Sequence, residues 1–341
     1  MIVQGTSAYT AGVSRQLRNG DVVEVCSPAV ILDTLDDRGE LDGLPFMEEM
    51  IAYCGRRFTV RARAEKICDT ITWNHTSRRM ADTVLLDDQR CDGSGHGGCQ
   101  AECRLYWKEA WLRRVDDQSD GAATSPDEEE RLRQRVASSA VQGGDGIRYR
   151  CQATQAVAAS VPLATKNPAP YVREMTSGNV SLPRFVRVMG RAVSSEVRRK
   201  LGVLPDPPLK GTGTSSPKTP SIGLQPGDLV RIRPAEQIAA TLNDKGMNRG
   251  LWFDREMLVL CGRTFRVRRR VTRFIDERTG EMIELRSDCF TLDGAVCSGE
   301  HSLSRWFCPR AIFPYWREAW LELIDREPAV TDRLDASESI Q

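Results

Sequence analysis

The sequence lacks the features that assign a chain to a membrane, a secretory route or a nucleic-acid partner. No stretch approaches eighteen consecutive apolar residues, and residues 1–17 contain no basic segment followed by an apolar run, so neither a membrane span nor a secretory signal is expected. The 48 lysines and arginines nearly balance the 47 aspartates and glutamates, so no global field attracts a polyanion. We therefore expect a cytoplasmic protein.

Catalytic motifs are scarce as well. The chain has only three histidines, and it contains no phosphate-binding loop, no Gly-x-Ser-x-Gly elbow and no His-Glu-x-x-His motif. It does have eleven cysteines. In a reducing compartment, cysteines more often bind metal or lie buried than form disulfides. The chemistry of the chain is therefore expected at its cysteines.

The chain contains an internal repeat, in which one module of roughly ninety-five residues occurs twice. A constant offset of 207 positions (227 minus 20) matches Gly20-Asp21 with Gly227-Asp228 and Cys54 with Cys261. After small insertions, WKEAWL at 107–112 matches WREAWL at 316–321. The repeat predicts five segments: an N-terminal tail at 1–19, a Cys-rich module at 20–115, a connector at 116–226, a second Cys-rich module at 227–326 and a C-terminal tail at 327–341.

Each module has the pattern of a small β-barrel. A Gly-Asp turn opens into a strand at 22–25 or 229–232, and a short helix follows at 31–35 or 238–242. Alternation from Phe58 to Ala64 predicts a half-buried strand, and a turn at 276–280 predicts a hairpin. These signals favour a mainly β fold with short helices, in which two tandem SH3-like barrels are joined by a partly helical connector.

The tryptophans and the connector add three predictions. Trp316, Ala319 and Trp320 have helical spacing, which predicts a helix whose indoles cap the core, with a stacking surface for a ligand or nucleic acid as the alternative. Residues 181–201 predict a basic amphipathic helix that docks on one of the barrels, with a membrane-surface or nucleic-acid role as the alternative. Residues 204–226, with six prolines, are typical of a linker without a core of its own.

The cysteines repeat with the modules and suggest zinc. Tetrahedral zinc needs four ligands on a rigid frame, and closure by zinc can stabilise a barrel with a small core. A hairpin from Phe58 would bring Cys54 and Cys91 to one end and leave Cys68 at the other. We predict two zinc ions per chain, bound by Cys54, Cys91, Cys99 and Cys103 in the first module and by Cys261, Cys289, Cys297 and Cys308 in the second.

Other assignments of the cysteines stay open. Cys68, Cys151, His96 or His301 could replace a proposed ligand, and small buried thiols that bind no metal are the alternative. A zinc site with only three protein ligands would be open to chemistry. The first loop, 92–98, is rich in glycine, whereas the second loop, 298–307, contains Trp306 and Phe307. The first loop is therefore expected to be the binding element.

Several motifs together resemble an uncharacterised family of bacterial proteins. The resemblance rests on GLPFMEEM and YCGRRF within 43–58, RCDGSGHGGC at 90–99, WKEAWL at 107–112, SGNVSL at 177–182 and CPRAIFPYWRE at 308–318. It covers the chain from about Gly20 to Ile324. The family implies two tandem Cys-rich modules inherited as one unit, together with the segment around Cys151, but it implies no activity.

The absence of catalytic motifs favours a zinc-binding accessory or interaction protein whose protein or small-molecule partner is unknown. Nucleic-acid binding is the first alternative, through the tryptophans, the basic helix and an arginine strand that carries Arg266, Arg268, Arg269, Arg270 and Arg273. Acidic residues on the adjoining turn and return strand favour ion pairs for these arginines instead. A metal-dependent enzyme of a specialised biosynthetic pathway is the second alternative.

Overall fold

Two five-stranded antiparallel sheets organise the protein in a computed structural model, which describes residues 16–72, 76–115, 125–137, 140–143, 146–164, 167–213, 221–303 and 305–326. The first sheet contains strands Val22–Val25, Arg57–Arg63, Thr83–Arg90, Arg104–Lys108 and Leu112–Arg114. The second contains Leu229–Ile232, Thr264–Ile275, Met282–Leu292, Trp316–Arg317 and Leu321–Asp325. In both sheets the strands lie side by side in the order fourth, third, second, first and fifth. The predicted mainly β fold is confirmed.

Short helices and small sheets surround the two large sheets. The α-helices are Pro28–Thr34, Pro126–Val136, Ala169–Thr176, Leu182–Lys200, Ala235–Ala239 and Arg255–Leu258, and the 3₁₀ helices are Glu48–Tyr53, Glu109–Trp111 and Glu318–Trp320. Two-stranded sheets pair Glu40–Leu41 with Leu44–Pro45, Ala140–Gly143 with Gly146–Tyr149, and Met247–Asn248 with Leu251–Trp252. A three-stranded sheet joins Val161–Pro162, Ser77–Arg79 and Ile67–Cys68. No helix in the described part of the chain is both long and apolar enough to cross a bilayer.

The second hairpin shows why the strands form where the sequence places them. β-Branched and aromatic residues alternate with arginine in Thr264–Ile275, which suits a sheet with one solvated face. Val271 pairs with Cys289 and Ile275 pairs with Met282. The predicted turn at 276–280 joins the two strands, and Gly280 has φ +76°, which glycine adopts without strain.

The last strands of both sheets differ from the prediction in one respect. The segment around Trp316 and Trp320 is not an α-helix, because Phe290 pairs with Trp316 and Ile232 pairs with Leu321. Strand pairing on both sides leaves room for only one tight turn, the 3₁₀ helix Glu318–Trp320. Both indoles are fully buried, so their role in capping the core is confirmed.

The same arrangement closes the core in each half. The ring centroids of Phe46 and Trp111 lie 5.1 Å apart in an edge-to-face contact, and those of Phe253 and Trp320 lie 5.4 Å apart. Trp111 Nε1 donates to the Thr34 hydroxyl at 3.0 Å. Trp320 Nε1 donates to the Thr241 hydroxyl at 2.8 Å. Trp111 and Trp320 therefore each have an aromatic packing partner and a polar partner.

The connector packs on the halves that it joins. The basic helix, Leu182–Lys200, places Val188 against Phe307 of the second half, and Phe185 stacks on Phe307 with ring centroids 5.5 Å apart. Arg184 and Arg191 of this helix pair with Glu300 at 2.9 and 3.2 Å. The helix and its predicted docking are therefore observed.

Part of the predicted linker is also packed. Gly211 N donates to Asn243 O at 2.9 Å, and a Cβ atom on Gly211 would lie 1.9 Å from Leu242 O. The backbone approach explains the need for glycine at this position. At the N-terminal end, residues 16–19 of the predicted tail are described, and Leu17 is buried in the first core. Residues 1–15 lie outside the described residues. The predicted C-terminal tail at 327–341 lies entirely outside them.

Candidate metal centre

Three potential metal ligands, Glu49, Cys91 and His96, lie close together in the first half. One donor atom from each lies within 4.8 Å of the other two, and Cys91 Sγ lies 3.1 Å from His96 Nε2. His96 is 1% exposed and Glu49 is 9% exposed. The described residues contain no other group of three His, Cys, Asp or Glu donors this close together.

Local structure explains how the first loop brings these side chains together. Glu49 lies in the 3₁₀ helix Glu48–Tyr53, and Cys91 directly follows strand Thr83–Arg90. The loop then folds back on itself, with both His96 N and Gly98 N donating to Gly93 O, at 3.2 and 2.9 Å. Gly93 has φ +78°, and a Cβ atom there would lie 2.1 Å from Cys99 O. Only glycine permits this fold, which returns His96 to Cys91.

Three polar atoms of this group are buried without the partners that such atoms normally have. Neither carboxylate oxygen of Glu49 has a hydrogen-bond partner among the described residues, and His96 Nδ1 has none there either. Burial raises the pKa of the Glu49 carboxyl and the Cys91 thiol, and it lowers the pKa of His96 to about 4. Burial therefore favours the neutral form of all three side chains. A divalent cation would stabilise the anionic forms of Glu49 and Cys91 and the neutral imidazole.

The donor set suits a zinc-type ion. Zinc binds cysteine sulfur, histidine nitrogen and carboxylate oxygen, and catalytic zinc sites use three protein ligands with one position left for water or substrate. A bound ion would also be the partner that the buried oxygens of Glu49 lack, because buried polar groups in native proteins almost always have a partner. Glu49, Cys91 and His96 therefore fit a zinc ion.

The corresponding position in the second half is built differently. Glu256 matches Glu49 in the repeat, but its carboxylate accepts hydrogen bonds from the second loop. The donors are Ser298 N at 3.0 Å, Ser298 Oγ at 2.7 Å, His301 N at 2.7 Å, Ser302 N at 2.8 Å and Ser302 Oγ at 3.2 Å. Although burial opposes ionisation, these bonds lower the pKa of Glu256. The same residue type therefore organises a loop in one half and faces potential metal ligands in the other.

The other predicted ligands of the first module divide into two groups. Cys99 and Cys103 line the same cavity as Cys91 and His96, and Cys99 Sγ accepts a hydrogen bond from Ile275 N at 3.4 Å. Cys54 lies outside this lining, beside Cys26, and burial raises the pKa of its thiol to about 12. Of the four cysteines predicted to bind the first zinc, only Cys91 belongs to the three-donor group.

The four predicted ligands of the second module have separate partners. Cys289 Sγ accepts from Arg317 Nη1 at 3.2 Å, and Cys261 Sγ lies 4.0 Å from Met257 O. Cys297 N donates to Ile312 O at 2.8 Å, as Cys91 N does to Cys103 O at the matching place. Cys308 Sγ accepts from the backbone nitrogen of Cys68 at 3.2 Å. A second zinc ion on these residues stays a prediction.

A cavity of about 1040 Å³ lies beside the three-donor group. The first half contributes Cys91, His96, Cys99 and Cys103 to its lining, and the connector contributes Cys151. The second half contributes further residues, among them Phe274, Glu277, Arg310, Phe313 and Tyr315. Its size is that of a pocket for a small molecule, and two of the three donors, Cys91 and His96, line it.

Sequence reasoning missed two parts of this site. Glu49 was not a candidate ligand, although the repeat pairs it with Glu256 and both precede a methionine in the same context. Cys151 had no assigned place, and the structure puts it on the cavity wall. His96, a reserve ligand in the sequence, belongs to the group itself.

The arginine strand has protein partners for most of its charges. Arg268 and Arg269 contact Glu102 of the first half at 2.7 and 3.4 Å. Arg270 contacts Asp288 at 2.6 Å and Arg273 contacts Glu284 at 3.1 Å. The contacts with Asp288 and Glu284 are cross-strand ion pairs of the kind that the sequence favours over phosphate binding.

Comparison of the chain with protein-family models, with curated proteins and with solved structures finds no match in any of the three.

Proposed function

We propose that the protein binds one zinc-type divalent ion through Glu49, Cys91 and His96 and presents it to a small molecule in the adjoining cavity. The observation that carries this proposal is the juxtaposition of three buried donor atoms within 4.8 Å of one another with a cavity of about 1040 Å³. A structural zinc site normally has four protein ligands, whereas three ligands beside a pocket are typical of catalytic sites. The proposal therefore favours a metal-dependent enzyme over a purely accessory role.

Each residue of the group has a defined part. The thiolate of Cys91 and the carboxylate of Glu49 would offset the charge of the ion, and His96 would bind through a ring nitrogen. A bound zinc ion supplies Lewis acidity at its open position. Cys99, Cys103 and further residues of both halves line the cavity beside Cys91 and His96, where a small molecule would lie next to the ion.

The scaffold of this site is part of the proposal. Two tandem SH3-like barrels are supported by the shared strand order and by the single 3₁₀ turn between the fourth and fifth strands of each sheet. Such a barrel offers loops at one edge of its sheet, and the first loop follows its third strand. The likeness to a bacterial family with two Cys-rich modules agrees with this arrangement and remains part of the same proposal.

The second half is proposed to bind no ion at the matching place. The carboxylate of Glu256 already accepts backbone and hydroxyl hydrogen bonds, and breaking them would leave part-buried N–H groups without these partners. At this pair of positions one zinc is therefore expected, at Glu49. The second zinc that the cysteine pattern predicts has other ligands, and the proposal does not include it. Nucleic-acid binding is not favoured, because the arginine strand is engaged in ion pairs.

Metal analysis of matched variants tests the proposal. Protein purified without an affinity tag and dialysed against zinc should retain about one ion per chain. Glu49→Gln, Cys91→Ser and His96→Ala should each remove it, whereas Glu256→Gln, Cys297→Ser and His301→Ala should not. Circular dichroism and thermal unfolding establish that each variant is folded. Zinc retained by all three first-half variants, or lost equally in both sets, would overturn the assignment.

A further inference from the structure

The two halves meet along a seam formed by residues 66–70 and 306–310. Lys66 Nζ donates to Trp306 O at 2.8 Å, Cys68 N donates to Cys308 Sγ at 3.2 Å, and Arg310 Nη1 donates to Thr70 Oγ1 at 2.8 Å. All three contacts join residues that are 240 positions apart. The two segments therefore run in the same direction, side by side, with the cysteine pair in the middle.

The seam holds both cysteines in place. Strand Ile67–Cys68 pairs with strand Ser77–Arg79, which fixes the backbone on one side. On the other side, Phe307 N donates to Gly299 O at 2.8 Å, and a Cβ atom on Gly299 would lie 2.7 Å from Cys308 O. The second loop is thus folded tightly against Cys308. Cys68 and Cys308 are 8% and 7% exposed.

Arg310 connects the cysteine pair to the cavity. Its Nη1 lies 3.8 Å from Cys68 Sγ and 3.4 Å from Cys68 O, and its Nη2 donates to Glu277 at 2.7 Å. Arg310, Thr70 and Glu277 all line the cavity. A small solute in the cavity therefore reaches the cation that contacts the Cys68 sulfur.

The surroundings make the two sulfurs unequal. The neighbouring Cys308 thiol, with the nearby Arg310 cation, lowers the pKa of Cys68 to about 6. Burial raises the pKa of Cys308 well above that of a free thiol. Of the two sulfurs, Cys68 is therefore the better suited to attack an oxidant and Cys308 to resolve the product.

We infer that Cys68 and Cys308 form an oxidation site, at which a peroxide converts the dithiol into a disulfide that joins the two halves. The Cys68 thiolate attacks one peroxide oxygen, the O–O bond breaks, and with hydrogen peroxide the second oxygen leaves as water after taking a proton. Cys308 then attacks the sulfur of the Cys68 sulfenic acid, and a second water leaves. Two thiols are oxidised by two electrons, and one hydrogen peroxide is reduced to two waters.

Contacts across the seam bring the two residues together. The Cys308 sulfur lies 3.2 Å from the backbone nitrogen of Cys68, and the Cys68 sulfur is only three bonds from that nitrogen. The flanking contacts at Lys66 and Thr70 hold the two backbones side by side, as a disulfide between them requires. The site does not involve Glu49, Cys91 or His96, so it stands independently of the metal centre.

Peroxide titration of the reduced full-length chain tests the inference. After one equivalent of hydrogen peroxide and alkylation of the remaining thiols, peptide mapping should find Cys68 joined to Cys308. Because the disulfide closes a ring across 240 positions, the oxidised chain should migrate faster than the reduced chain on a non-reducing denaturing gel. The shift should disappear in Cys68→Ser and Cys308→Ser and persist in Cys26→Ser and Cys54→Ser.

The Cys26 and Cys54 variants are matched controls, because those two thiols also interact with each other but would close a much shorter ring. Mapping on the wild-type chain needs no variant to fold. A linkage that joins other cysteines first would overturn the inference. The inference would also be overturned if Cys68 and Cys308 both still react with the alkylating reagent after the other thiols have been oxidised.

Discussion

Replacement of Glu49 or Glu256 by glutamine is the most direct test of the difference between these two matching residues. In Glu256→Gln, the amide can keep its oxygen toward His301 and Ser302, where the bonds are 2.7 and 2.8 Å. Its NH₂ group then faces Ser298 N, which loses its acceptor. A hydrogen bond to a charged group contributes about 1.5–3 kcal/mol, and the remaining bonds weaken when the charge is removed. We expect a loss of roughly 2–4 kcal/mol in the free energy of unfolding.

Glu49→Gln should behave in the opposite way. The carboxylate has no hydrogen-bond partner among the described residues, so the substitution breaks no bond and should change the free energy of unfolding of the metal-free protein by less than about 1 kcal/mol. Its effect should appear in zinc affinity. Loss of an outer-shell partner costs about 10–100-fold in affinity, and loss of a direct ligand should cost at least as much as the upper end of that range.

Urea unfolding of the chelated proteins and competition with a zinc indicator measure the two effects separately. The pH dependence provides a further check. The lowered pKa of Glu256 means that its stabilisation is present above the unfolded-state pKa of about 4.3 and is lost as the pH falls through the folded-state pKa. The cost of Glu256→Gln should therefore shrink in acid. Equal destabilisation by the two substitutions at pH 7, or unchanged zinc affinity in Glu49→Gln, would refute the distinction between the two sites.

Three further outcomes follow from the same contacts. Gly97→Ala and Gly98→Ala should both cost about 1–2 kcal/mol for left-handed backbone, but only at Gly97 would the added Cβ atom meet neighbours, among them Tyr149 Cζ at 2.6 Å. Thermal unfolding should show a larger loss for Gly97→Ala, partly rescued by Tyr149→Ala. Phe307→Ala should cost about 3–5 kcal/mol and speed hydrogen exchange in the basic helix, whereas exchange that is unchanged there would contradict the docking. A strong chelator should speed exchange in the first loop and leave the second loop protected, because Glu256 holds the second loop without metal; the reverse pattern would move the metal centre to the second half.

Local patterns in the sequence were sufficient to predict much of the fold. The turn at 276–280 and the basic helix depend on residues close together in the chain, and both are observed. The two short helices are observed too, but they begin three residues before their predicted starts, as Pro28–Thr34 and Ala235–Ala239. The tryptophan segment was predicted as a helix because its spacing fits one, but pairing with distant strands limits it to a single 3₁₀ turn. Tertiary pairing overrides local propensity at this point.

The candidate site was less accessible from the sequence because it depends on distant contacts. Cysteine spacing pointed to Cys91, yet glutamate is too common on protein surfaces for Glu49 to stand out before its burial was known. Cys68 was expected at the far end of a hairpin from Cys54 and Cys91, and its contact with Cys308 spans 240 positions. No pattern within one module can predict a contact between two modules.

The seam at residues 66–70 and 306–310 also sets an order for assembly on the ribosome. The first sheet has all its strands once Arg114 has been made, but Cys68 must wait for Cys308, which is 240 residues later. At about 5–20 residues per second, this interval is roughly 12–48 s. Until the second half has been made, the cavity has only the walls supplied by the first half and the connector, so a nascent chain that has passed residue 151 would expose Cys91, Cys99, Cys103 and Cys151.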